Sequence, residues 1–241
     1  MRMEQEIFQK LNELKAINLE NAEFKQWLGN SNMWGWLYSQ FKIQGQAVSK
    51  PAVVDLLAGT IREDVPLSCY GFVQGFREMH KDMQSDIAMN TSPNTKQFKR
   101  WAGMLCPDAN PRKTNPVVFE YGLIPCHFNS IDSELDAAFK KYTMSKLPGI
   151  TSACILFLDV IKVYPFDEET IDMAMSVLLY CIESMGIPVP ELSVGEEEFG
   201  KMISLYMDHE DYLPFTQMLQ RCIYNRLDAV IMLAKQAKEN E

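Results

Sequence analysis

The chain has 241 residues, 47% of them hydrophobic and 23% charged, with a formal net charge of −9. That is enough apolar material for one large domain or two small ones, and it excludes a disordered chain. The acidic balance disfavours nucleic acid and anionic membranes as default partners, since both reward basic surfaces; no apolar run reaches the roughly 18 residues of a membrane span.

Taken in order, residues 3–17 carry Ile7, Leu11 and Leu14 on one stripe with Phe8 beside it, an amphipathic helix. Residues 22–28 form a short helical piece that ends around Gly29-Asn30-Ser31, and Ser31 or Asn32 caps the next helix through Met33, Trp34, Leu37 and Phe41. Ser49 followed by Pro51 announces a helix with Val53, Val54, Leu57 and Ile61. Residues 67–89 are long and helical, residues 95–105 a shorter helix with Phe98 and Trp101, and residues 106–116 a proline- and asparagine-rich loop. Residues 117–128 are the one β-like segment, two short strands in a hairpin with Gly122 as the turn and Pro125 against a single long strand. A helix from Ser130 through Leu135, Phe139 and Tyr142 follows. After the central pair, Ser193 and Glu196 form a capping box for a helix with Phe199, Ile203 and Tyr206. Asp211 opens the last helix, and residues 235–241 are a polar, fraying tail. The N-terminus lacks the apolar core of a signal peptide, and the six scattered cysteines form no C-x-x-C pair, so free thiols in a reduced, cytoplasmic protein are expected.

The organising stretch is residues 150–185. Two strongly apolar segments are separated by Tyr164-Pro165-Phe166 and the acidic Asp167-Glu168-Glu169. Proline stops the first helix; Asp167 is a fitting N-cap for the second, with both glutamates in its first turn. Both helices are too apolar to be surface elements, so this is the core hairpin. On the residues alone, the acidic tripeptide is explained as a well-capped helix start.

The same stretch resembles the Fic/Doc family signature, His-Pro-Phe-x-Asp/Glu-Gly-Asn-Gly-Arg. Pro165 and Phe166 match and Glu168 stands at the acidic position; Tyr164 replaces the histidine, Glu169, Thr170 and Ile171 replace Gly-Asn-Gly, and Asp172 replaces the arginine. Residues 38–45 resemble the family's Ser-x-x-x-Glu-Gly/Asn inhibitory helix, with Gln44 at the glutamate and Gln40 at the serine. Met79-His80 and residues 96–99 are similar to its Leu-His … Gly-x-Tyr-Arg stretch, with Lys96 and Lys99 substituted. The matches cover roughly residues 35–190. The resemblance implies an all-α, mainly helical Fic-like bundle around a central hairpin with one small β-hairpin flap. Residues 1–34 would pack on the 35–190 core and residues 191–241 complete the same domain.

Such enzymes typically transfer AMP from ATP to a protein hydroxyl. The family's histidine takes the hydroxyl proton, the Gly-Asn-Gly turn cradles phosphate, the acidic residue holds magnesium and the arginine binds the outer phosphates. Here Tyr164 offers a phenol with a pKa of about 10 where an imidazole of about 6.5 serves as base. Glu169 and Ile171 bring side chains where glycine lets the backbone approach phosphate, and Glu169 and Asp172 add negative charge there. Glu168 alone keeps a family role, and one oxygen ligand makes no magnesium site. His80, His127 and His209 form no ligand motif. His80 sits on an apolar stripe as a satisfied boundary residue, His209 at a solvated helix end, and His127 on the flap.

The expectation is therefore a degenerate Fic-like domain inactive in AMP transfer, a protein-binding or regulatory module using the flap residues Val117, Val118, Phe119, Tyr121, Leu123 and His127. The alternatives are a Fic-type nucleotidyl or phosphoryl transferase with altered residues and a homo-oligomeric helical scaffold. No cofactor is expected; magnesium and ATP enter only with the transferase. The partner is a protein or a second copy, not nucleic acid or membrane.

Overall fold

The computed structural model describes residues 2–17, 20–115, 122–147, 149–167 and 169–239. Among them lie ten α-helices: α1 (Arg2–Ile17), α2 (Ala22–Ile43), α3 (Lys50–Leu57), α4 (Leu67–Ala88), α5 (Thr95–Leu105), α6 (Ile131–Thr143), α7 (Gly149–Val163), α8 (Thr170–Ser184), α9 (Glu196–His209) and α10 (Leu213–Glu239). A 3-10 turn, Phe128–Ser130, leads into α6.

Eleven of the fifteen residues of α7 and twelve of the fifteen of α8 are buried, so neither has a solvent face to spare. A helix apolar all round must be wrapped by others. α6, α9 and α10 pack on α7, α4 and α5 cover α8, and α1 lies along α10. The main hydrophobic cluster runs from Ile7 to Leu227, and a small second one joins Ile17 of α1 to Ile231 and Ala234 of α10. Phe157 of α7 stacks on Phe215 of α10 at 4.8 Å, and Phe199 of α9 meets Phe215 edge-on at 5.9 Å. Among the described residues no helix is long and apolar enough to cross a membrane, and all six cysteines are free.

α1 does more than cover apolar surface. The start of α7 leaves backbone N–H groups without partners in its own helix, and the carboxylate of Glu4 (1% exposed) supplies one. Ile150 N–H donates to Glu4 Oε1 (2.7 Å), the Thr151 hydroxyl to Oε2 (2.9 Å) and Gln220 Nε2 to Oε2 (3.1 Å). Its charge also sits at the positive end of the α7 dipole.

Several expectations are corrected. Residues 22–43 form one unbroken helix: the polar run at Gly29-Asn30-Ser31 does not stop it, because Ser31 donates back to Leu28 O (3.0 Å) and Arg226 of α10 reaches over to Ser31 and Asn32. α3 ends at Leu57, leaving Ile61 outside the helix and 83% exposed. α9 is capped by Gly195 with no side-chain bond, so Ser193 makes no capping box; its hydroxyl lies 3.4 Å from Cys222 Sγ. The tail expected to fray is helical to Glu239 and tied to α1: Lys235 bonds Glu13 (2.7 Å) and Lys238 bonds Ile17 O (2.5 Å). No strand occurs among the described residues of the expected flap, 122–128; the rest of that segment up to Tyr121, including Val117, Val118, Phe119 and Tyr121, lies outside the described residues.

Replacing Glu4 by alanine strands two buried donors and the half-buried Thr151 hydroxyl and is expected to cost about 2–3 kcal/mol, read as a lowered urea midpoint. Glu4→Gln, which keeps an acceptor but no charge, should fall between. A loss below about 0.5 kcal/mol for Glu4→Ala, the range of an ordinary surface substitution, would mean that water satisfies the α7 terminus instead.

Candidate functional site

The turn between α7 and α8 is built backbone first. Tyr164 ends α7 with its N–H shared between Val160 O (3.3 Å) and Ile161 O (3.0 Å), and at φ +51 it adopts the left-handed conformation that turns a chain out of a helix. The next residues pair antiparallel with the 106–116 loop: Arg112 N–H donates to Pro165 O (3.0 Å) and Asp167 N–H to Asn110 O (3.2 Å). Phe166 is buried 5.9 Å from Phe98. The Thr170 hydroxyl closes the turn locally, accepting from Phe166 N–H (3.3 Å) and donating to Phe166 O (3.2 Å).

The side chain that locks this arrangement is Arg112, 3% exposed. Its Nε donates to Tyr164 O (2.9 Å), Nη1 to Thr114 O (3.0 Å), and Nη2 to Cys126 O (2.6 Å) and Val163 O (3.3 Å). Acceptors come from the end of α7, its own loop and the segment leading to α6. Carbonyls at a helix C-terminus carry partial negative charge, which is where a guanidinium is best accommodated without a carboxylate.

At the start of α8, Asp167 is not the N-cap. The cap position is Glu169, left-handed at φ +58 and without a side-chain cap bond, while Asp167 is exposed and its N–H is spent on Asn110. Glu169 thus holds a backbone conformation that glycine adopts freely and other residues at a cost of about 1–2 kcal/mol. Glu168 lies outside the described residues. Ile171 is half-buried against the core.

Asp172, one turn in, is 8% exposed and accepts a hydrogen bond from Gln44 Nε2 at the end of α2. Burial, with the Glu169 carboxylate adding repulsion, raises its pKa to about 7, although the Gln44 amide opposes the shift. Burial and the bond to Glu169 push the Cys106 thiol up as well. The two positions that the resemblance marks as inhibitory and as phosphate-binding, Gln44 and Asp172, are thus in contact. The donor set does not fit a nucleotide phosphate: a buried carboxyl, an amide already committed to it and a second carboxylate surround the place, and none carries positive charge.

α9 borders the same place. A Cβ on Gly45 would run into the Glu196 carboxylate, and one on Gly122 would lie 3.3 Å from Asp208 Oδ1, so α9 spans from the Gln44 turn to the start of the flap segment. A groove of about 840 Å³ follows it, lined by Glu196, Glu197 and Asp208, with Lys201 ion-paired to Glu197 at 2.6 Å. Such a lining repels phosphate.

The remaining sequence candidates scatter. Leu123 is buried at 4%, whereas its neighbour Ile124 is 88% exposed. His127 is exposed, its Nδ1 accepting from Asn129 N–H (3.3 Å). His80 is a satisfied boundary residue, 3.0 Å from Glu183 and stacked on Phe76; His209 ends α9 in solvent; Lys99 pairs with Asp132 on the outside of α5 (2.5 Å). Among the described residues no group of three or more His, Cys, Asp or Glu is placed to hold a metal ion. Sequence reasoning missed Arg112 and Cys106, whose only signal was their place in a loop too proline-rich to be a mere spacer.

No protein-family model and no curated protein matches the chain. Solved structures do. A Fic-domain-containing signaling protein from Bacteroides thetaiotaomicron superposes with a TM-score of 0.79 at 14% identity, covering 95% of this chain and 98% of that one. Fic-1 from C. elegans, residues 134–508, gives 0.73 at 16% identity over 98% of this chain and 73% of that one. A Fic family protein from Desulfovibrio desulfuricans G20 gives 0.70 at 10% identity over 94% and 74%. The chain therefore has the all-α Fic fold.

Asp172 supplies a pH test. Its raised pKa means that the folded state binds more protons than the unfolded state between about pH 3.8 and 7, so stability falls as pH rises through that window and levels off above it. Asp172→Asn cannot ionise and still accepts from Gln44. It is expected to exceed the parent in stability at pH 8 by several kcal/mol, up to about 4, with the gap narrowing toward pH 4. A pH-independent gap would contradict the burial assignment.

Proposed function

We propose that this chain, with the fold of Fic proteins, has given up nucleotide transfer and acts as a protein-binding or regulatory module. The observation that carries the reading is the contact of half-buried Gln44 with buried Asp172, which occupies the place where phosphates would need cationic and N–H donors. Three features support it further. Glu169 puts a carboxylate at the α8 N-terminus, where an anion-binding site would leave backbone donors open. The α9 groove is acidic. Tyr164 replaces a histidine base.

The contact surface for the partner is the segment at 117–128. Its described part runs without a ladder partner from Leu123 into the turn at Phe128–Ser130 and presents Ile124 almost fully to solvent. A segment that belongs to no ladder is open to pairing with an extended segment of another chain. One observation favours the altered transferase instead: a carboxyl titrating near neutrality, as Asp172 does, is the property of a general acid or base. Against it stands the carboxyl's burial beneath Gln44.

Titration with ATP, GTP or CDP-choline and magnesium separates the two. Ligand at a hundred times its Kd raises stability by about 2.7 kcal/mol, a shift of several degrees in melting temperature. No shift is expected at millimolar nucleotide. A magnesium-dependent shift that Asp172→Asn removes would establish the transferase reading. For this segment, Ile124→Pro removes one backbone N–H and an exposed apolar side chain; it is expected to melt within about 2 °C of the parent, as surface changes of ±0.5 kcal/mol do, while losing partners in pull-down. Partners retained at the parental level would count against this edge.

A further inference from the structure

A second surface lies away from the motif loop, where α2, α3 and α4 meet. Because α3 has only eight residues, it leaves two depressions beside it, and Arg77 of α4 lines both. One, of about 330 Å³, contains Trp34 and Leu57; the other, of about 560 Å³, contains Tyr70 and Val73. Val54 (46% exposed), Ile61 (83%) and Leu67 (84%) are the exposed large apolar side chains of α3 and of the connection into α4.

This apolar exposure is held on a fixed backbone. Arg62 bridges Asp55 of α3 (2.7 Å) and Asp64 (2.8 Å), and its N–H donates to the Tyr70 hydroxyl of α4 (2.6 Å). A surface ordered before binding loses less entropy on binding. Arg77 itself, in contrast to Arg62, has no hydrogen bond or ion pair among the described residues, and neither has the Lys81 ammonium one turn on. The second depression also carries Gln74, Glu78 and Lys81, so the Arg77 guanidinium and the Lys81 ammonium outnumber one carboxylate there; in a chain with 32 acidic and 23 basic residues, such a local excess of positive charge beside the apolar Trp34–Leu57 depression complements a carboxylate flanked by apolar side chains.

We infer that this face receives an amphipathic helix of another protein, with an aspartate or glutamate bonded to Arg77 and apolar residues one turn to either side filling the two depressions. On a helix, residues three or four positions to either side of a central charge lie on the same face as it. A twofold dimer centred here would set Arg77 against its own copy, so a second copy is the poorer occupant. The inference does not rest on the flap edge.

The test uses the full chain and a phage-displayed library of random 12-residue peptides. Selected peptides are expected to carry an acidic residue with apolar residues three or four positions away. Measured by fluorescence anisotropy, their Kd should weaken about tenfold or more with Arg77→Glu, less with Arg77→Gln, and at higher salt. Ile124→Pro should leave it unchanged. Arg77 is exposed, and matched melting curves would show that both variants fold. Selected peptides without acidic residues, or affinities within twofold of the parent in Arg77→Glu, would overturn the inference. So would sedimentation equilibrium showing self-association that Arg77→Glu abolishes, since the occupant would then be a second copy.

Discussion

The burial of the Arg112 guanidinium is the constraint on which the motif region depends. An arginine does not deprotonate, and removing it from water costs several kcal/mol unless its donors are filled. Here they are filled by carbonyls of Val163, Tyr164, Thr114 and Cys126 rather than by a carboxylate. Those carbonyls belong to the end of α7, the 106–116 loop and the approach to α6. Satisfying one charge therefore fixes three segments relative to one another, and the antiparallel pairing of residues 110–112 with 165–167 follows from the same contact.

With the turn so held, the start of α8 becomes a closed arrangement. A helix N-terminus normally offers N–H groups and positive potential to an anion. In this chain Thr170 spends its hydroxyl on Phe166, Glu169 brings a carboxylate and a left-handed backbone, and Asp172 is buried against Gln44. Two of these features cost stability: a left-handed non-glycine residue and a buried carboxyl. The amide of Gln44 meets the second cost, since glutamine can donate to the ionised carboxylate or, turned over, accept from the protonated acid. On the proposed reading this arrangement is what replaces a phosphate cradle.

The two surfaces beside the core differ in charge: the α9 groove beside the motif loop carries Glu196, Glu197 and Asp208 against one lysine, while the α3–α4 face carries Arg77 and Lys81 against Glu78.

Periodicity and apolar content determined which helices are central. Residues 150–163 and 171–185 are apolar on every side and can only be interior, and the stripes of α4 and α5 follow from the 3.6-residue repeat. Proline placed the turn between α7 and α8. Local cap chemistry was a poorer guide: Asp167 has the right side chain for an N-cap, but its backbone was claimed by Asn110, and Gly29-Asn30-Ser31 looked like a break until Arg226 covered it. Only the tertiary structure decided the polar pairings: Glu4 with Ile150, Gln44 with Asp172 and Arg112 with Tyr164 join residues 146, 128 and 52 positions apart. Hydrophobic pattern is a property of neighbours in the chain, so a sequence carries it openly. A buried polar group is satisfied by whichever partner the packing of apolar faces brings near, and that partner has no signature in the sequence around it.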